Sequence, residues 1–188
     1  MDQEQEKQAI LDVKAGDTAR FALLVDAYKT PLFNLAYRMT GSRTEAEDLV
    51  QDTFVRAFRN LDSFDSTRRF FPWLYTIGLN LVRRRLKTKG LHSSEPASRE
   101  QEESREPGPE QAFLDKERAG EVQDALLQLK PDQREALILR YVQGLTYDEI
   151  AEILDVTPSA AKMRVYRGLD QLRTIIPETI PAKADHEP

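Results

Sequence analysis

The stretch 146–173, TYDEIAEILDVTPSAAKMRVYRGLDQLR, decides how the chain is read. It holds two helical patterns around a tight break. Thr146 and Glu149 have capping-box spacing, and Ile150, Ile153 and Leu154 follow as an apolar arc. Asp155-Val156 turns the chain, and Thr157-Pro158 predicts an N-cap followed by a first-turn proline. On a wheel of about 100° per residue, Ala161, Val165, Leu169 and Leu172 fill one arc. Ser159, Met163, Tyr166 and Arg167 take the opposite face, with Lys162 and Arg164 at its edges. A helix packed on its predecessor through the first arc can enter a major groove while its edge cations meet phosphates. The pattern is that of a helix-turn-helix, although a solvated basic helix in a small bundle fits the same arcs.

Upstream the helical logic continues. Residues 110–128 predict one helix, and Pro131 suits the first turn of the next, with Leu137, Ile138 and Tyr141 inward and Gly144 as its stop. Before these lies TKGLHSSEPASREQEESREPGPEQ, 88–111, with one Leu and no aromatic or β-branched apolar residue. Such a segment cannot bury enough apolar surface to offset its ordering entropy, and it is expected to be a flexible linker. The first 89 residues then form a separate unit. Phe21, Leu24, Val25 and Tyr28, then Leu32, Leu35, Ala36 and Met39, recur at helical spacing, with Pro31 a kink or restart and Gly41 a stop. Thr44 and Glu47 predict a capping box ahead of a stripe of Leu49, Val50, Phe54, Ala57 and Phe58. After the loop DSFDSTRR, a further stripe contains Phe70, Trp73, Leu74, Ile77, Leu81 and Val82. No segment alternates with period two for long enough to be a strand. The expected fold is all-α, two small helical domains joined by a flexible linker. Its parts are an extension that starts the first helix (1–16), a first domain (17–89), the linker (90–112), a helix-turn-helix domain (113–176) and a disordered tail (177–188).

The chain has 188 residues, no cysteine and a formal net charge of -5. A disulfide framework, a thiol nucleophile and a cysteine-based zinc site are excluded. The acidic N-terminus lacks the basic-then-apolar order of a signal peptide, and no run of about 18 apolar residues occurs. A soluble cytoplasmic protein is expected. Charge is segregated, at +5 over 17–89, -4 over 90–112, -5 over 113–155 and +3 over 156–176. Positive charge is thus confined to two stretches, which answers the objection to nucleic-acid binding that the acidic total raises.

The second basic stretch, Arg83 to Lys87 with Lys89, brings five positive charges and no acid, just downstream of Phe64, Phe70, Phe71, Trp73 and Tyr75. Cations beside stacking aromatics suit a single-stranded nucleic acid. At helical spacing Phe70 and Trp73 fit a core equally well, whereas Phe64 stands in a polar loop. The Arg run also suits a solvated helix C-terminus. No enzyme is expected: His92 and His186 fall in the linker and tail, no phosphate-binding glycine loop is present, and the carboxylates lie on helix surfaces. Neither cofactor nor metal is expected. A self-sufficient repressor or activator, or a pure interaction module, remains open on these residues alone.

Three segments, AEDLVQDTFVRAFRNLDSF, FPWLYTIGLN and LKPDQREALILRYVQGLTYDEIAEILDVTPSAAKMRVYRGLDQLR, resemble bacterial RNA polymerase sigma factors of the extracytoplasmic-function (ECF) type. The match runs from Asp17 to Arg173 apart from the linker, and the three segments in this order are specific. The resemblance implies a dissociable initiation subunit that binds core RNA polymerase at the β′ clamp helices and β flap. It implies that 17–89 is region 2 and 113–176 region 4. By the same resemblance Asp48, Gln51 and Asp52 dock on the β′ clamp helices. Ser63, Phe64, Asn80, Arg83, Arg84 and Lys87 capture and read the opened −10 element of promoter DNA. Arg140, Ser159, Lys162, Met163, Arg164, Tyr166 and Arg167 face the −35 element. An anti-sigma factor that covers the polymerase-binding faces is the expected inhibitor. The chain departs from the family in having Asp155 where a turn glycine is common, and Arg84 where an Asp often follows Asn80. Ser159-Ala160-Ala161 offers few hydrogen bonds, which shifts −35 selection toward DNA shape.

Overall fold

The computed structural model of the chain describes residues 1–92 and 109–176. Most of the expected linker (93–108) and the expected tail (177–188) lie outside the described residues. Everything regular among the described residues is helical. Helix α1 (Gln3–Lys14) opens with a capping box in which the Asp2 carboxylate accepts the Gln5 amide at 2.8 Å and the Gln5 side chain accepts the Asp2 amide at 3.2 Å. It buries Ala9, Ile10 and Val13. A short 3-10 turn, Thr18–Arg20, leads into α2 (Phe21–Thr40), which runs through Pro31 as one helix.

Helix α2 stops at Gly41, where two constraints coincide. Its φ is +73°, and a Cβ there would lie 2.7 Å from Leu127 Cδ1 of the second domain. Only glycine meets both demands at no cost. The next residue, Ser42, is extended and caps α3 (Arg43–Arg59), its Oγ accepting the Glu45 amide at 3.4 Å. This corrects the sequence expectation: the cap is Ser42, not Thr44, because the glycine stop leaves Ser42 as the first residue able to take the cap conformation. Glu47 pairs instead with Arg43 at 3.0 Å. The buried arc of α3 is Ala46, Leu49, Thr53, Phe54 and Ala57. Phe58, expected in it, is 41% exposed and rests edge-on against Phe21, and Val50 is half-buried. The hydroxyl of buried Thr53 is satisfied by the Leu49 carbonyl at 2.6 Å. A 3-10 turn, Leu61–Ser63, and a loop precede α4 (Phe70–His92).

The second domain comprises α5 (Pro109–Gln128), α6 (Pro131–Leu137), a π-helical turn (Ile138–Val142), α7 (Tyr147–Leu154) and α8 (Pro158–Ile175). The Thr146/Glu149 capping box forms, Thr157 caps α8 with Pro158 in its first turn, and Asp155 turns the chain at φ 53°, ψ 54°. Asp tolerates this left-handed conformation better than most residues. The π turn widens the backbone and rotates its residues away from the α register. Tyr141, expected inward, is consequently 53% exposed, while Leu139 is fully buried. Helix α8 presses on α6 so closely that a Cβ at Gly168 would lie 2.8 Å from Leu137 Cδ1.

The two domains pack together. At the end of α2 the Tyr37 carbonyl accepts the Gly41 amide at 2.7 Å, and side chains of the second domain supply further donors to the last carbonyls. Gln123 donates to the Tyr37 and Arg38 carbonyls, and buried Arg134 to the Met39 carbonyl at 2.6 Å. The same guanidinium bonds the Leu127 and Leu129 carbonyls, so one residue ties α2 to the α5–α6 corner.

Candidate nucleic-acid and polymerase-binding faces

On α4, Asn80, Arg83, Arg84 and Lys87 fall at i, i+3, i+4 and i+7, one stripe of the helix surface. Asn80, Arg84 and Lys87 are exposed. Arg83 is committed: its guanidinium makes a two-point contact with Glu135 of α6, Nε to Oε1 at 2.9 Å and Nη2 to Oε2 at 2.6 Å. Glu135 is only 2% exposed. Its bonds, opposed by burial, hold the Arg83 pKa above the ordinary value.

The loop before α4 closes the other end of this stripe. Ser63 is exposed, with Oγ donating to the Asn60 carbonyl at 2.7 Å. Phe64 departs from expectation: its ring is 4% exposed, wedged against Phe70 and Trp73 with centroids 5.5 and 4.9 Å away. The polar neighbours that suggested an exposed stacking surface surround an aromatic that has an apolar shelf directly beneath it. In this conformation the loop offers Ser63, and Phe64 is part of the core. Ser63, Phe64, Asn80 and Arg83 line one cavity of about 960 Å³ between the domains, whose far wall is residues 151–156 and Arg164. Across it Arg68 pairs with Glu152 and Arg69 with Glu149. Burial raises the Glu149 pKa, but the bonds from Thr146 and the Arg69 guanidinium outweigh it and leave the carboxyl below its usual range.

On α8, Ser159, Lys162, Met163 and Arg167 are exposed and Tyr166 is half-buried beside them. Arg140 joins them through Tyr147, a residue that no motif singled out. The guanidinium lies over the Tyr147 ring at 4.8 Å and donates to the Leu145 carbonyl, while Lys162 approaches the Tyr147 and Tyr166 rings at 5.9 and 5.6 Å. Cations held over aromatic faces keep their charge and lose freedom, which suits phosphate contact. Arg164 does not join this face; it turns toward the cavity between the domains. Asp48, Gln51 and Asp52 are exposed on a third surface, α3, and Gln51 edges an apolar groove of about 500 Å³ between α2 and α3 with Val25, Phe33, Val50 and Val55.

Sequence reasoning missed the acidic partners of Arg83 and of Arg68 and Arg69 in the loop before α4, which lie 52 to 84 residues away along the chain. One signal was available. Glu135 precedes Ile138 and Leu139 by three and four residues, so a carboxylate sits on a buried arc, where an unpaired charge is costly. Among the described residues no group of His, Asp or Glu is arranged to hold a metal, and no helix is long and apolar enough to cross a membrane.

Comparisons with known proteins identify the family. Residues 24–91 match the Sigma-70 region 2 family and residues 119–172 the Sigma-70, region 4 family. The ECF RNA polymerase sigma factor SigW of Bacillus subtilis is 38% identical over 176 residues, covering 89% of this chain and 94% of that protein. The RNA polymerase sigma-H factor of Pseudomonas aeruginosa is 31% identical over 179 residues, covering 90% and 93%. The solved structure of CnrH in complex with the cytosolic domain of CnrY superposes with a TM-score of 0.71 at 27% identity, over 92% of this chain and 97% of that one. The all-helical, two-domain architecture with its helix-turn-helix, the matches to both regions and the full-length relatives lead to one conclusion: the chain belongs to the ECF RNA polymerase sigma factors.

Proposed function

We propose that the chain binds core RNA polymerase and directs it to promoters, reading the −35 element with α8 and capturing the opened −10 element with α4 and the loop before it. The observation that carries this reading is the pair of cation-bearing helix faces on two separate domains, one beside a groove-entering helix-turn-helix and the other beside a polar loop. Arg83, Arg84 and Lys87 contribute phosphate contacts, and Ser63 and Asn80 hydrogen bonds to an extruded base. Arg167 is assigned to base edges or phosphate, and Lys162, Arg164 and Arg140 mainly to phosphates. Arg164 and Arg83 face the inter-domain cavity, so the domains must part before either reaches DNA.

For the polymerase, the α3 surface of Asp48, Gln51 and Asp52 is the docking face for the β′ clamp helices. The adjacent apolar groove, with Val55 42% and Phe58 41% exposed nearby, supplies the buried area such a contact needs, and the second domain meets the β flap. An anti-sigma factor that covers these faces holds the chain inactive. Region 2 spans 17–89 and region 4 spans 113–176. The role is that of an initiation factor, acting in the cytoplasm where polymerase and chromosome meet. Run-off transcription with purified core polymerase on fragmented genomic DNA tests the reading. Discrete starts that share two upstream elements at fixed spacing, and that disappear on changing Gln51 and Asp52 to Ala, are expected. Tight duplex binding by the chain alone, with no polymerase-dependent start, would replace this reading with that of a repressor or activator.

A further inference from the structure

Two residues of α1 hold the loop carrying Ser63 and Phe64 and the start of the helix that follows it. Lys14 Nζ donates to the Phe64 carbonyl at 2.5 Å and to the Asp62 carbonyl at 3.3 Å. Glu6, 8% exposed, accepts the Phe70 amide through Oε1 at 3.2 Å and the Tyr28 hydroxyl through Oε2. The first contact pins the loop backbone. The second satisfies an orphan amide in the opening turn of α4, the helix that carries Asn80, Arg83, Arg84 and Lys87.

Apart from Arg68 and Arg69 at its far end, whose side chains reach Glu152 and Glu149 across the cavity, the remaining loop bonds are local. The Ser63 hydroxyl donates to the Asn60 carbonyl, and Asp65 Oδ1 accepts the Thr67 amide and hydroxyl at 2.9 and 2.7 Å. Bonds that span two or three residues shape a loop without setting its position relative to a helix. The position of the Ser63–Phe64 end is set by the Phe64 ring on Phe70 and Trp73 from one side and by Lys14 of α1 from the other, while Arg68 and Arg69 hold the far end.

We propose that Lys14 and Glu6 are positioning residues for −10 capture: they seat the Ser63–Phe64 backbone against the start of α4, so that an extruded base meets a preformed edge. The inference rests on the −10 assignment above. Extruding a base already costs unstacking energy, and ordering the capturing loop at the same moment would add to that cost. A loop already fastened to α1 avoids the second cost. The ammonium suits this task because it gathers two carbonyls at once, and it is half-buried, where charge-assisted bonds are stronger.

The test uses holoenzyme assembled on core RNA polymerase and a labelled single-stranded oligonucleotide carrying the non-template −10 sequence of a promoter mapped by run-off transcription. Lys14→Met keeps the aliphatic stem and removes both bonds; it should weaken oligonucleotide binding about tenfold. Lys14→Arg should recover most of that loss, and Glu6→Gln, which retains an acceptor for the Phe70 amide, should bind more tightly than Glu6→Ala. Amide hydrogen exchange over 62–69 should rise in Lys14→Met, while affinity for core polymerase and for −35 duplex stays unchanged. Oligonucleotide binding by Lys14→Met equal to that of the unaltered chain would overturn the inference. Equal losses in all three affinities without rescue by arginine would also overturn it, marking α1 as a general stabiliser. If the unaltered holoenzyme bound a scrambled oligonucleotide as tightly as the promoter strand, the −10 assignment itself would fall and take this inference with it.

Discussion

The chain carries two basic helix faces and treats them differently. On the α4 side Arg83 meets Glu135 and, in the loop before the helix, Arg69 meets Glu149 and Arg68 meets Glu152, while Arg84 and Lys87 stay exposed. The outer face of α8 meets solvent, with Met163 45% exposed among its cations. The charge segregation visible in the sequence accounts for this. A domain of +5 lies against the acidic part of its neighbour, 113–155, at -5, so the nearest counter-charge to α4 is α6 and α7. On the proposed assignment, −10 capture requires Arg83 to exchange Glu135 for phosphate and −35 binding requires Arg164 to leave the cavity between the domains, whereas Lys162 and Arg167 on the outer face of α8 are already exposed and need only release counterions.

Glu135→Lys should disturb this contrast most. A cation buried beside Arg83 and Arg134 leaves like charges unpaired, an effect of about 3 kcal/mol or more. Urea unfolding should show the loss, small-angle scattering should show a larger free chain, and single-strand binding by the free chain should rise. An unchanged radius would mean that the seam is not what holds the domains together. Next comes Arg167→Ala, expected to cost about 1–3 kcal/mol in −35 duplex binding and to leave single-strand binding and the urea midpoint alone. Equal losses on both probes by fluorescence anisotropy would refute the separation of the two faces.

A smaller effect, about 1 kcal/mol, is expected for Thr146→Ala, which removes the α7 cap and two of the bonds to Glu149. The same glutamate sets a pH dependence. The folded Glu149 pKa lies below its unfolded value, so the unfolded chain binds more protons as pH falls. Its stabilisation is therefore complete above the ordinary glutamate value, about 4.3, and is lost as pH falls through the folded value. Urea midpoints measured down through that range should show the drop, and Thr146→Ala should flatten it. The smallest effect belongs to Arg68→Ala, whose pair with Glu152 is exposed on both sides and worth at most about 1 kcal/mol. A change as large as that of Glu135→Lys would overturn the ranking of buried over exposed seam contacts.

Much of the fold was legible because it is local. Thr146, Thr157-Pro158, Asp155 and Gly41 act through bonds or backbone angles within a few residues of themselves, and the structure uses each as its position suggested. Pro131 does likewise at the start of α6. The misplacements arose where two local signals competed or a register changed. Ser42 displaced Thr44 because the preceding glycine had already fixed where the helix could begin. Tyr141 turned outward because one wide π turn rotated the pattern that an α-helical wheel assumes.

The candidate sites divide in the same way. Spacing alone places Asn80, Arg83, Arg84 and Lys87 on one stripe, and Ser159, Lys162, Met163 and Arg167 on another, since helical periodicity needs no knowledge of what lies opposite. It also places Asp48, Gln51 and Asp52 together. Residue order was thus enough to tell which side chains share a face, where helices start and stop, and which segments carry opposite charge. Which face is occupied came from packing: Phe64 is core, Arg164 turns toward the seam, Glu135 holds Arg83, Lys14 grips a loop some fifty residues away and Glu6 the start of α4 beyond it. Helix periodicity and capping are short-range, so they can be read from neighbours in sequence. Burial and ion pairing depend on neighbours in space, brought close by the packing of the two domains, and no spacing along the chain encodes that distance.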